Sequence, residues 1–69
     1  MKNNLEILRK EKNISQEELG NILGVSRQTI SSLENGRYCP SILLAFKISK
    51  YFSLPIEKIF IYEENENEK

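Results

Sequence analysis

The chain has 69 residues, ten Lys/Arg balanced by ten acidic residues, a single Cys and no His. That length makes one small domain near the lower limit for a core without staples, and lone Cys39 excludes an internal disulfide framework and points to a reducing compartment. Every acid is Glu and no Gly-rich phosphate loop follows a strand, so the residues offer no basis for catalysis, a metal site or a cofactor.

No apolar run approaches the roughly 18 residues of a membrane span, and MKNNLEILRK lacks a signal-peptide core. A soluble, cytoplasmic protein is expected. Residues 63–69 (EENENEK) hold four glutamates against one lysine. Residues 1–62 therefore keep nine Lys/Arg against six Glu, a modest surplus compatible with a phosphate-facing surface. The organisation reads as one domain over 1–62, followed from Glu63 by an acidic, disordered tail.

Residues 4–12 repeat Leu5, Ile7 and Leu8 among charges, the pattern of a short amphipathic helix that Asn13 closes. Ser15 then begins S-Q-E-E, a capping box in which Ser15 and Glu18 satisfy each other's amides. Ile14 and Leu19 flank it as a hydrophobic staple. The second helix runs from about Gln16 to Leu23, with Leu19, Ile22 and Leu23 on one face. Gly20 costs roughly 1 kcal/mol against Ala inside a helix, so close approach by the next helix is its expected reason. Gly24 ends the helix in the left-handed conformation. Ser26 caps the third helix, about Arg27 to Asn35, and Val25 staples to Ile30.

At about 100° per residue, Ile30 and Leu33 define the inward direction of the third helix. Gln28, Ser32 and Asn35 lie opposite, with Ser31 close by. That face is small and amide-bearing, where a merely solvated helix more often carries Lys and Glu. Asn35-Gly36 is a turn signal, and the loop continues to Pro40. Ser41 caps a fourth helix, Ile42 to Phe52, which is apolar almost all round. One domain face cannot absorb all of it. Pro55 opens a short fifth helix, Ile56 to Phe60. Phe60-Ile61-Tyr62 is expected as a short strand able to pair with Lys2-Asn3. Cys39 is expected as a small buried hydrophobe.

Two short helices joined through Gly24 form the pattern of a helix-turn-helix, whose second helix enters the DNA major groove. The strings ISQEELGNILGVSRQTISSLENGRYCPS, LLAFKISKYF and LPIEKIF resemble the Xre family of lambda-repressor-like (Cro and cI type) regulators from Leu5 to Phe60. In length and ending the chain looks most like short dimeric repressors of the cytolysin-repressor kind. The resemblance implies an all-α, five-helix DNA-binding domain. It implies base contacts from Arg27, Gln28, Ser31 and Ser32, and phosphate contacts from Ser26, Thr29, Asn35 and Arg37. Gln16 either touches a phosphate or braces the first residues of the third helix. Glu34 matches a position that pairs with an arginine of the first helix, here Arg9.

Leu43 and Tyr51 depart from the family pattern, where polar or small residues are common. Ile42, Leu43, Phe60, Ile61 and Tyr62 are therefore the candidate dimer surface, although these residues can also fold back onto their own domain. The expected function is a homodimeric repressor on a palindromic operator of double-stranded DNA. One rival keeps the fold but adds a partner protein, as in an antitoxin that binds both operator and toxin. A second rival is a protein-interaction module without DNA binding.

Overall fold

Three serines set where the long helices begin. Ser15, Ser26 and Ser41 have extended backbones, and their hydroxyls accept from the amides of Glu18, Thr29 and Leu44. Each satisfies one donor that the first turn leaves without an intrahelical partner. At Ser15 the box is complete: its amide donates to the Glu18 carboxylate at 2.7 Å while its Oγ accepts from the Glu18 amide at 3.0 Å.

The computed structural model describes residues 1–62, so the acidic, disordered tail expected at 63–69 lies outside the described residues. Its helices are α1 (Leu5–Glu11), α2 (Gln16–Leu23), α3 (Arg27–Glu34), α4 (Ile42–Phe52) and α5 (Ile56–Ile59). The all-α, five-helix expectation holds, with boundaries close to those read from the sequence. The terminal pairing is present as a single antiparallel bridge between Asn3 and Phe60. Flanking it, the Asn4 amide donates to the Ile59 carbonyl and the Ile61 amide to the Lys2 carbonyl, both at 2.8 Å.

Leu5, Leu19, Ile30, Leu33, Ile48 and Ile59 are fully buried, and Leu23, Leu44, Phe52 and Phe60 complete the core. Several expectations need correcting. Ile7 is 58% exposed and Ile22 48% exposed. Ile7 stands two residues from Leu5, about 200° round the helix, so it faces away from the stripe formed by Leu5, Leu8 and Arg9. Ile22 sits at the edge of the stripe that Leu19 and Leu23 define. Cys39 is exposed, not buried, because it belongs to the loop ahead of α4. Phe60, assigned to the dimer surface, is only 7% exposed. The bridge to Asn3 turns its ring into the protomer's own core.

Gly20 is required for a reason close to the expected one. A Cβ there would lie 2.6 Å from the Val25 carbonyl oxygen, so the obstacle is the turn backbone entering α3. Gly24 takes φ 78°, the left-handed cap, and the Val25 amide returns to the Gly20 carbonyl at 2.8 Å. These contacts hold α2 tightly against α3.

A second tie crosses the domain. Arg9, 8% exposed, donates through Nε to Glu34 Oε2 at 2.6 Å and through Nη2 to Glu34 Oε1 at 3.2 Å. Its Nη1 donates to the Ile14 carbonyl at 2.8 Å. Hydrogen bonding to Glu34 raises the Arg9 pKa above its ordinary value, against the opposing effect of burial. The pairing implied by the resemblance is therefore present and bidentate.

Two stability predictions follow from these ties. Gly20→Ala gains intrinsic helix propensity but must displace backbone, so it should lower stability by about 1–3 kcal/mol; a raised urea midpoint would show that the turn can yield. Glu34→Ala leaves a buried guanidinium unpaired and should cost about 3–5 kcal/mol. Glu6→Gln breaks only the exposed pair with Lys10, and it should leave the urea midpoint unchanged. Equal effects from both substitutions would reduce the Arg9–Glu34 pair to an ordinary surface bridge.

Candidate nucleic-acid interface

The helix-turn-helix consists of α2, the Gly24 turn and α3. Its outward face begins where the core contacts of Ile30 and Leu33 end. Arg27 and Gln28 are exposed, and Thr29, Ser31 and Ser32 are half-buried. Gln28 and Ser32 are one turn apart and so lie in line along the helix.

Ser26, Gln28, Thr29, Ser32, Arg37 and Tyr38 line one open recess on this face. The structure thus brings together five of the site residues expected from the sequence and adds Tyr38, which sequence reasoning missed. Its only advance signal was an aromatic residue in a polar loop. Ser31 and Arg27 lie outside that recess, on the same helix. Asn35 borders a different hollow with Met1, Lys2, Asn3, Glu34, Gly36 and Ile61.

Gln16 is tied within the domain. Its Nε2 donates to Glu34 Oε1 at 3.0 Å. It therefore braces the last residue of α3, not the first residues as the sequence reading allowed.

The hydroxyls of Ser26 and Thr29 are 3.0 Å apart, and either can donate to the other. Ser26 also accepts from the Thr29 amide at 3.1 Å. Whichever hydroxyl donates, one proton remains to be offered to an external acceptor. Gln28 supplies an amide donor and acceptor, Arg27 and Arg37 supply cationic donors, and the one acid of α3, Glu34, is turned inward against Arg9 and Gln16. The face is consequently rich in donors and free of α3 carboxylate, as an approach to phosphates and base edges requires.

The loop after α3 is fastened to the helix. Gly36, at φ 75°, donates its amide to the Leu33 carbonyl, and Arg37 donates to the Ser32 carbonyl, both at 3.0 Å. These two bonds make a Schellman motif, so Arg37 and Tyr38 hold a set position relative to Gln28 and Ser32.

Comparison with known proteins agrees with this geometry. The helix-turn-helix family model matches residues 5–59. An uncharacterized HTH-type transcriptional regulator of Methanocaldococcus jannaschii is 56% identical over 66 residues, covering 96% of this chain and all of that protein. The HTH-type transcriptional activator BcrR of Enterococcus faecalis is 42% identical over 60 residues, 87% of this chain and 29% of its own length. The cryptic phage CTXphi transcriptional repressor RstR of Vibrio cholerae is 35% identical over 63 residues, 90% of this chain and 57% of its own length. With a family match running from the first turn of α1 to the last residue of α5, this chain belongs to the helix-turn-helix family.

Proposed function

We propose that this DNA-binding transcription regulator acts in the cytoplasm as a homodimeric repressor of the short, cytolysin-repressor kind. Each protomer lays α3 in the major groove of one half of a palindromic operator. The half-sites lie about 34 Å apart, one turn of the duplex. The observation that carries this reading is the outward face of α3, where amide, hydroxyl and guanidinium groups stand together while Glu34 is held away.

Gln28 can make paired hydrogen bonds to adenine, and Arg27 to guanine, each pair contributing about 1–3 kcal/mol of discrimination. Ser31 and Ser32 add hydroxyls to the base-facing set. Ser26, Thr29, Asn35 and Arg37 contact phosphates and supply the salt-dependent part of the affinity. Gln16 is assigned to bracing Glu34. The dimer forms through Ile42 and Leu43, 76% and 64% exposed, together with Ile61 and Tyr62. The phage repressor RstR supports the direction of regulation, whereas BcrR is named as an activator. A reporter placed behind the operator decides between these two directions.

Selection of bound sequences from a random duplex pool should return two half-sites related by a two-fold axis. Failure to enrich any sequence would favour an interaction module without DNA binding. On the selected duplex, Gln28→Ala should lose about 1–3 kcal/mol of discrimination with little change in binding to unrelated DNA. Arg37→Ala should instead weaken every duplex and reduce the salt slope by about 1. A uniform loss from Gln28→Ala would reassign Gln28 to the backbone. In sedimentation, Leu43→Glu should give monomers; an intact dimer would sink the α4 interface.

A further inference from the structure

Asn3 sits at the edge of the domain, and the sequence around it carries no motif. Its side chain nevertheless uses both ends. Oδ1 accepts from the Leu5 amide at 3.0 Å, which caps the entry to α1. Nδ2 donates to the Leu33 carbonyl at 2.8 Å and to the Met1 carbonyl at 3.1 Å. The backbone of Asn3 is meanwhile bridged to Phe60. Residues 1–4 thus form a strap, anchored at one side to the end of α5 and fastened by one amide to the last turn of α3.

We propose that Asn3 is a positioning residue for DNA recognition, acting through the C-terminal end of α3. The Leu33 carbonyl accepts from both Asn3 and the Gly36 amide, so both of its lone pairs are occupied. The strap also lies against the turn: a Cβ on Gly36 would come 3.1 Å from the Met1 carbonyl oxygen, and the Met1 nitrogen donates to the Gly36 carbonyl at 2.8 Å. Asn35 and Arg37 flank Gly36. The strap therefore sets how the turn presents these two groups relative to Gln28 and Ser32. This inference rests on α3 being the DNA-reading helix.

The chemistry of the amide separates its two roles. Asn3→Asp keeps an acceptor for the Leu5 amide and places a charge that suits the start of a helix. It also replaces the Nδ2 donor with an oxygen facing two carbonyls. If Asn3 merely capped α1, Asp would preserve every property. The positioning role requires that Asn3→Asp retain the helical spectrum, accelerate amide exchange at Leu33–Arg37, and lower the ratio of operator to non-specific affinity roughly two- to tenfold, the worth of one neutral hydrogen bond. Should the charge prevent folding, Asn3→Ser keeps a short acceptor for Leu5 without reach to Leu33, and the same exchange and affinity measurements apply. Unchanged exchange at Leu33–Arg37 would overturn the proposal. So would an unchanged ratio of operator to non-specific affinity in a variant that keeps its helical spectrum. Gln28→Ala on the same duplex tells the two readings apart. If it is silent while Asn3→Asp both speeds exchange at Leu33–Arg37 and lowers the operator ratio, the base-reading role of Gln28 fails and the positioning role of Asn3 stands.

Discussion

The paired guanidinium of Arg9 is the constraint on which the rest of this domain depends. A charge buried to this degree is tolerated only when its donors are satisfied. Here Glu34 accepts twice, Ile14 accepts once, and Gln16 completes the coordination of Glu34. Such a pair is not inherently more stabilising than well-packed hydrophobic residues. Its contribution is geometric, because the four groups come from α1, the turn after it, the first residue of α2 and the last residue of α3. The angle of α3 cannot change without exposing or breaking this set.

The same pair has an electrostatic effect on the outward face of α3, the proposed DNA surface. A carboxylate left about 4 Å from a phosphate would be repelled by about 1 kcal/mol in bulk water, and several times that near a protein surface. Glu34 is the only acid in α3, and its side chain is 3% exposed against Arg9. One interaction therefore holds the helix in place and clears its outer surface for an anionic partner. Arg27 on α3 and Arg37 in the loop after it then have no outward-facing α3 carboxylate to offset them.

Much of the fold was legible because it is written in local chemistry. The S-x-x-E box at Ser15, the cap at Ser26, Gly24 and the Ser41 cap involve residues three or four apart, and their partners are visible in the sequence itself. The errors arise where the partner is remote. Gln16 was open between two roles because its acceptor, Glu34, lies eighteen residues away. The Asn3 side chain gave no signal beyond the expected backbone pairing, because its acceptor at Leu33 is thirty residues distant. Ile7 and Ile22 were misassigned because helices of seven or eight residues show too few turns to separate the centre of an apolar stripe from its edge. The Arg9–Glu34 pair was legible only through the resemblance to a family. Nothing in spacing joins residues twenty-five apart.

Helix α4 poses a different problem, since its apolar surplus was read correctly and stays exposed among the described residues. Leu44, Ile48 and Phe52 recur every four residues and enter the core. Ile42, Leu43 and Phe46 lie on the opposite side, 76%, 64% and 55% exposed. A single exposed apolar side chain needs no explanation, but three sharing one face of one helix form a patch. The patch and the outward donors of α3 stand on different helices, so one helix need not supply both surfaces. The homodimer proposed above would cover the patch with the symmetry that a palindromic operator requires. In that proposed homodimer, the surplus on α4 would pair the protomers, and the polar face on α3 would give each of them a half-site to read.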